Sequence, residues 1–369
     1  MRFLFIEPFF GGSHKEFAEG LVAHSGHRID LVTLPARFWK WRMRGAALFL
    51  IQKVGPLDGY DGLITTDLMS LSDFKMLSGP ACPPTLVYFH ENQLTYPLSP
   101  GEQRDVQFGF TDITTALAAD RILFNSQTHF DAFFAALPGF LRMMPEYHPL
   151  WVVSAIEKKA GVLHPGCRFS PDPLERPAHS NQPPLVIWNH RWEYDKNPQA
   201  FFAALDAANQ NGIDFRLALL GENFQAVPKP FLAAKKRLAS KIVCYGYEPS
   251  RQRYLDWLRQ GAVMVSTAEQ ENFGIAAVEA MRFGCLPLLP NRLSYPEILP
   301  SAFHRDFLYD GQDDLVEKLC ALLTDPSARE KSRQTLARAM GKFSWPALID
   351  AYDRELAALA GMPTALKNR

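Results

Sequence analysis

Glu271-Asn272-Phe273-Gly274-Ile275-Ala276-Ala277-Val278-Glu279 follows the short apolar run Ala262-Val-Met-Val-Ser266. A run of that length between turn residues has the character of a buried strand, and the glycine after it opens a helix. The unit is therefore strand, loop, helix. The same step recurs on both sides. Residues 185–188, 216–220, 242–245 and 286–289 are further strand candidates separated by helical segments. Such alternation predicts parallel β-α-β units, here in a domain spanning 185–343.

The first half repeats the plan. Residues 2–6 form an apolar strand that runs into Glu7 and then Gly11-Gly12-Ser13-His14, with a helix to about Ala23. Strands are expected at 29–33, 62–65, 86–89 and 121–124, and a helix at 112–119. Between the halves, 169–184 holds five prolines and no periodicity, which predicts a linker. In the tail, 344–369, the segment 345–359 is amphipathic and suited to packing back toward the first domain. The expected fold is α/β, with Rossmann-like domains at 1–168 and 185–343 facing across a cleft. Open sheets bind ligands beyond the C-terminal ends of their strands, so polar residues just after strands become the candidates.

Bulk properties narrow the class. A chain of 369 residues with 47% hydrophobic and 21% charged residues suits two globular domains. Its 39 basic residues balance 39 acidic ones, so a nucleic acid would have to be met by a local patch. The cysteines at 82, 167, 244, 285 and 320 include no C-x-x-C pair, which speaks against a disulfide framework or zinc site. No apolar stretch approaches the roughly 18–20 residues of a bilayer span, and the N-terminus lacks a signal-peptide pattern. A cytoplasmic protein with no membrane span is expected.

Three groups of residues carry chemistry. Glu271 and Glu279 flank the glycine loop; carboxylates accept sugar and ribose hydroxyls, while the backbone N–H groups beyond Gly274 suit an anion. Glu279 stands in an apolar run and needs a partner if it is buried. Directly after 185–188 come Arg191 and Lys196, two cations at a strand-to-helix loop that either suit neighbouring phosphates or are the ordinary charges of a surface loop. Gly221 and Gly246 follow the next two strands, where backbone contacts to a base and ribose or simple turns are both open readings. In the first half Gly11 and Gly12 form a loop after the first strand, and His14 and His90 both follow strands, either facing the cleft or serving as hydrogen-bonded structural histidines. His90 is followed by Glu91-Asn92-Gln93-Leu94, and the missing second histidine removes the H-E-x-x-H zinc pattern. Finally, Arg37-Phe-Trp-Lys-Trp-Arg-Met-Arg44, extended to Lys53, carries five cations and no acid. It reads either as a solvated amphipathic helix whose tryptophans cover the core, or as a surface for phosphates and unstacked bases.

The E-x7-E segment together with R-x4-K after the first strand of the second half resembles the retaining glycosyltransferases of the GT-B fold, family 4. Several longer strings resemble the tRNA-queuosine mannosyltransferase family within it. They are Ile6-Glu-Pro-Phe-Phe-Gly-Gly-Ser-His-Lys15, Leu34-Pro-Ala-Arg-Phe-Trp-Lys-Trp-Arg42, Tyr88-Phe-His-Glu-Asn-Gln-Leu-Thr-Tyr-Pro97, Gln103-Arg-Asp-Val-Gln-Phe-Gly109, Trp188-Asn-His-Arg-Trp-Glu-Tyr-Asp-Lys-Asn197 and Ser294-Tyr-Pro-Glu-Ile298.

The resemblance implies mannose transfer from GDP-mannose to queuosine at the wobble position of a tRNA. The partners implied are a nucleotide sugar and a tRNA, with no protein partner. By the same resemblance Arg191 and Lys196 neutralise the donor diphosphate, Glu271 contacts the transferring sugar and Glu279 binds the ribose diol. The donor site would also take Gly11, Gly12, Gly221, Gly246, Asn272, Phe273 and Gly274. His90 lies near the sugar, and the acceptor side includes His14, Lys40, Trp41, Arg42, Arg44, Asn92 and Gln93.

No Asp-x-Asp motif is present, which fits metal independence and no cofactor. Retention of configuration is implied, with the leaving diphosphate taking the acceptor's proton. Glu271→Ala and Lys196→Ala are each expected to cut turnover by orders of magnitude with the fold intact. The alternatives are a transferase of the same fold acting on a lipid or polysaccharide and a non-catalytic sugar-nucleotide sensor. A nicotinamide dehydrogenase is disfavoured, since neither half has G-x-G-x-x-G after its first strand.

Overall fold

Phe3 and Phe5 point to one side of the first strand and Leu4 and Ile6 to the other, and all four are fully buried. A strand apolar on both faces belongs inside a parallel sheet covered by helices on each side. That is the arrangement in a computed structural model, which describes residues 1–98, 101–169, 182–222, 227–324 and 330–362. Contacts divide the chain into unit 1, Met1–Phe169 with Phe343–Arg369, and unit 2, Ser170–Lys342. Most of the linker expected at 169–184 lies outside the described residues.

Unit 1 runs β1 (Arg2–Phe10), α1 (Gly12–His24), β2 (Arg28–Pro35), α2 (Trp39–Val54), β3 (Gly62–Thr66), α3 (Leu71–Ser78), β4 (Thr85–Phe89), α4 (Val106–Ala118), β5 (Arg121–Phe124), α5 (Gln127–Leu141), α6 (Trp151–Glu157) and β6 (Ala160–Val162). The strands are parallel in the order β2-β1-β3-β4-β5-β6. One face carries a core of Leu4, Ile6, Leu50, Phe74, Val87, Ile113 and Phe133. On the other face Phe3, Phe5, Phe17, Leu21 and Tyr88 pack with Trp345, Tyr352 and Leu356 from the C-terminal helix Trp345–Ala360.

Most strand boundaries fall within two residues of the sequence expectation, and two elements depart further. β1 continues past Ile6 to Phe10, because Glu7 pairs with Thr33 in register before the ladder shifts at Phe10–Pro35. α4 begins at Val106 rather than at 112, because the Asp105 side chain accepts the Gln107 amide and caps it there.

Unit 2 runs β7 (Leu185–Trp188), α7 (Pro198–Gln210), β8 (Arg216–Leu219), α8 (Lys229–Arg237), β9 (Ile242–Tyr245), α9 (Arg251–Gln260), β10 (Val263–Val265), α10 (Ile275–Arg282), β11 (Leu286–Pro290), α11 (Tyr295–Ile298), α12 (His304–Phe307), β12 (Leu308–Tyr309), α13 (Gly311–Thr324) and α14 (Glu330–Ala339). Its strands are parallel in the order β12-β11-β10-β7-β8-β9. Counted from β7, this is the 3-2-1-4-5-6 order of a dinucleotide-binding sheet. Unit 1 instead begins with the flavodoxin-like order 2-1-3-4-5.

Both sheets therefore have a switch point where the chain changes direction across the sheet. It lies between β1 and β3 in unit 1 and between β7 and β10 in unit 2. Ligands bind at such points because the two loops that leave them part and open a crevice.

Candidate active-site residues

At the unit 2 switch point the loops after β7 and β10 are laced together. The Thr267 hydroxyl donates to the carbonyls of Lys196 and Asn197 at 2.8 and 2.9 Å, and the Glu269 amide donates to the Asp195 carbonyl at 2.7 Å. The lacing brings Lys196 and Glu271 together from positions far apart in sequence. The Lys196 ammonium is buried, donates to the Gln270 carbonyl at 2.6 Å, and lies 3.1 Å from Asp195 and 3.6 Å from Glu271. Burial works against its charge and Arg191 opposes it, but Glu271 and Asp195 outweigh both and hold the ammonium above the usual lysine range. Arg191 is half-exposed and pairs with Glu193 at 3.2 Å.

This corrects one expectation. Asp195 is 1% exposed, so Lys196 is the counterion of a buried carboxylate as well as a cation available to phosphate. Replacing it with alanine is therefore expected to cost stability as well as turnover.

Gly274 sits at φ 97°, a left-handed conformation that favours glycine, and turns the chain into α10. Glu271 Oε1 accepts the Gly274 amide at 3.1 Å, and no side chain caps the helix end beyond it. Asn272 accepts from Gln270 at 2.9 Å and Phe273 is buried, so both shape the loop. Glu279, one turn into α10, is buried between two donors, the Arg251 guanidinium and the Tyr254 hydroxyl at 3.1 Å. Burial and the Glu279 charge push the Tyr254 phenol well above its usual range, so it stays a donor. Tyr254 in turn accepts from Asn189, just after β7, at 3.0 Å. A carboxylate has about four lone-pair positions, so Glu279 keeps acceptor capacity for a diol.

Of the other two predicted glycines, Gly246 follows β9 at φ 117°. Gly221 has a different reason to be glycine: a Cβ there would stand 1.7 Å from the His190 carbonyl oxygen. The space it leaves is filled by its own chain.

The unit 1 switch point holds a second polar cluster. Glu7, in β1, is fully buried; it accepts the Phe9 amide at 2.8 Å and the Thr66 hydroxyl at 3.1 Å. His14 Nδ1 lies 3.3 Å from its carboxylate, just beyond the Gly11-Gly12 turn. The His14 ring packs on His90 with centroids 4.1 Å apart. Burial disfavours a charged His14, yet Glu7 raises it to about 9. His90 is pushed well below the usual histidine value by burial and by the His14 charge.

The loop that presents His90 is clamped at both ends by acids that the sequence alone did not single out. Asp67 accepts the His90 amide at 2.8 Å and Asp112 accepts the Gln93 amide at 2.5 Å. Burial raises the Asp67 carboxyl to about 7 and holds that of Asp112 well above the usual range. Asn92, expected on the acceptor side, accepts from the Leu94 and Thr95 amides at 3.1 and 3.0 Å and so helps build the loop. Gln93 Nε2 donates to Glu91 at 3.3 Å. Glu7, His14 and His90 also offer ligand atoms within 4.8 Å of one another. The carboxylate there is already taken by an amide, a hydroxyl and His14, which is an ion-pair arrangement.

The basic segment places one tryptophan on the core and one in solvent. α2 starts at Trp39, which is half-buried against Phe108 at 5.1 Å and covers the core. Trp41 is 75% exposed, as is Phe38 beside it at 69%. Lys40 and Arg44 are exposed as well; Arg44 donates to Gln107 at 3.0 Å, while Arg42 is half-buried and donates to the Pro35 carbonyl at 3.3 Å.

Comparison with known proteins follows the same division. Residues 2–167 match the family profile described as tRNA-queuosine alpha-mannosyltransferase N-terminal, and 173–339 match glycosyl transferases group 1. The chain is 34% identical over 371 residues to a tRNA-queuosine alpha-mannosyltransferase of Drosophila melanogaster, covering 96% of this chain and 97% of the relative. It is 25% identical over 186 residues to a GDP-mannose:cellobiosyl-diphosphopolyprenol alpha-mannosyltransferase of Xanthomonas campestris, 48% of each chain. A sucrose-phosphate synthase structure from Thermosynechococcus elongatus shares the fold, with a TM-score of 0.72 at 16% identity over 97% of this chain and 100% of that one.

Proposed function

The chain belongs to the tRNA-queuosine alpha-mannosyltransferase family, and from that premise we propose that it moves mannose from GDP-mannose to queuosine at the wobble position of a tRNA, with retention of configuration. Its fold is that of the GT-B glycosyltransferases. The observation that carries the reading is the Lys196–Glu271 pair at the switch point of the unit 2 sheet. A cation and a carboxylate side by side suit the junction of a nucleotide sugar, where an anionic diphosphate meets a hydroxylated ring.

Breaking the bond from the anomeric carbon to the diphosphate oxygen leaves positive charge on the sugar and negative charge on the diphosphate. Arg191, Lys196 and the N-terminus of α10 stabilise the departing anion. The acceptor hydroxyl attacks from the same face, and the departing oxygen takes its proton. Glu271 holds the sugar, Glu279 the ribose diol, and the neutral imidazole of His90 lies against the sugar. The exposed Trp41 and the cations Lys40 and Arg44 meet the RNA. This chemistry needs no metal, because the two side-chain cations and the helix end neutralise the leaving group themselves. The reading includes a cytoplasmic location; among the described residues no helix is long and apolar enough to cross a membrane.

The test is transfer of labelled mannose from GDP-mannose to tRNA carrying queuosine. The same tRNA with guanosine at that position, and lipid-linked oligosaccharide, serve as the comparison acceptors. Transfer to queuosine tRNA alone, unchanged by EDTA and reduced about a hundredfold or more by Glu271→Gln, is expected. Transfer to the lipid instead, or full activity in Glu271→Gln, defeats the assignment.

A further inference from the structure

Glu7 interrupts the apolar run of β1 and has no part in the transfer steps given for this site. A carboxylate with no exposure is retained only when its charge is met. The Phe9 amide and Thr66 hydroxyl orient Glu7, and His14 at 3.3 Å supplies the opposite charge. His14 is enclosed in turn. Phe9 meets its ring edge-on at 5.9 Å, and the His90 ring lies against it at 4.1 Å, tilted by 35°. The other groups that face His14 are Asp67 after β3 and Glu91 after β4, both acids, while His90 is also faced by His129 of α5, which burial pushes down to about 3 and so keeps neutral. Two imidazoles this close in a dry site cannot both be charged, since like charges at that separation repel strongly. The pair has room for one proton beyond neutrality, and the nearby carboxylate decides which ring takes it.

We propose that Glu7 is a positioning residue: acting through His14, it fixes a buried imidazolium against His90, so that His90 meets the sugar as a neutral ring in a single orientation. The proposal rests on the reading of His90 as a sugar contact. The raised His14 and lowered His90 agree with it, but the arrangement of the three side chains carries it. The same geometry explains the Gly11-Gly12 turn, which starts α1 where His14 reaches Glu7. A divalent metal at these atoms would need both histidines unprotonated and the carboxylate released from its donors, which is a different site.

Nitrogen-15 NMR of histidine-labelled full-length protein reads the protonation directly, and kcat measured from pH 5.5 to 8.5 reads its consequence. In the wild type, His14 is expected to keep its proton beyond pH 8 and kcat to stay flat across neutrality. In Glu7→Gln, His14 titrates at least one pH unit lower, and kcat falls about tenfold between pH 6 and 8, with KM for the donor little changed. Glu7→Asp, which keeps the charge, restores the flat profile. Should Glu7→Gln fail to fold, His14→Gln carries the test, because without the opposing charge the His90 titration must move upward.

Identical His14 titrations with and without the Glu7 charge overturn the proposal. So does a loss of rate by the same factor at every pH, or an unmoved His90 in His14→Gln. Stoichiometric zinc in the purified wild type, lost in Glu7→Gln, overturns it as well. If the wild type transfers no mannose under any condition while the NMR shifts appear as stated, the ion pair stands and only the activity reading fails.

Discussion

Burying Lys196 beside Asp195 takes two charges out of water, and their pairing at 3.1 Å is what makes that tolerable. Removing the cation leaves a carboxylate with 1% exposure and no counterion. Lys196→Ala is therefore expected to cost about 3–5 kcal/mol of stability in addition to turnover. Asp195→Asn combined with Lys196→Met should recover most of the stability and none of the activity. Urea unfolding beside the transfer assay separates the two losses; equal stability of Lys196→Ala and wild type would show that the pair is not coupled as drawn. The Glu7–His14 pair also stabilises, but in a way that depends on pH. His14 holds its proton to about 9 in the folded chain against an ordinary 6.5. Its stabilisation is thus fully present below about pH 6.5 and is lost as pH rises through 9. Wild type minus Glu7→Gln should narrow by about 3 kcal/mol over that window, measured by unfolding at successive pH values. Glu7 was legible in the sequence only as the acid that breaks an apolar run, and its partners were not legible. His14 and Thr66 reach it through a turn and a neighbouring strand, and sequence order does not disclose strand order. The same holds for Arg251 and Tyr254 around Glu279, which come from the next helix upstream in the sequence.

At the scale of elements, α2 shows why a tryptophan-rich basic helix cannot be read from composition alone. Trp39 and Trp41 are two positions apart, which places them on different sides of a helix. Trp39 lies on Phe108 and Trp41 stands in solvent. Trp39→Ala is expected to lower stability by about 2–4 kcal/mol and leave RNA affinity per folded molecule nearly unchanged. Trp41→Ala should do the reverse, weakening tRNA binding by about 1–3 kcal/mol at constant melting temperature. Filter binding and thermal unfolding on the two variants check this, and a destabilised Trp41→Ala would place that ring in the core after all. Strands such as β1, β5 and β7 were legible because burial on both faces leaves a short apolar run between turns. β12 has only two residues, and β6 is an only partly buried Ala-Gly-Val, so neither leaves such an apolar run. The parallel sheets followed from the alternation, but the flavodoxin-like order in unit 1 did not, because both orders use the same β-α-β step.

For the whole molecule, zero net charge means that the proposed RNA acceptor would be held by local fields, since there is no long-range attraction to the chain as a body. Each unit has its own sheet and its own switch point, and the two hold different chemistry: phosphate-compatible cations in unit 2, and a histidine cluster with a basic helix in unit 1. Binding should divide accordingly. GDP is expected to slow amide exchange in the loops after β7 and β10, at 189–197 and 266–279, because those backbones carry Lys196, Glu271 and the start of α10. Queuosine tRNA should instead protect 37–53, and that protection should fade steeply between about 50 and 200 mM salt as released counterions oppose binding. GDP at matching saturation should be nearly insensitive over the same range, since its charges are met by groups at least partly withdrawn from the ions that screen. Hydrogen exchange on the free protein, with GDP alone and with tRNA alone, measures all three patterns. Protection of 37–53 by GDP, or of 266–279 by tRNA in the absence of donor, would mean that the division of labour between the two units has been drawn in the wrong place.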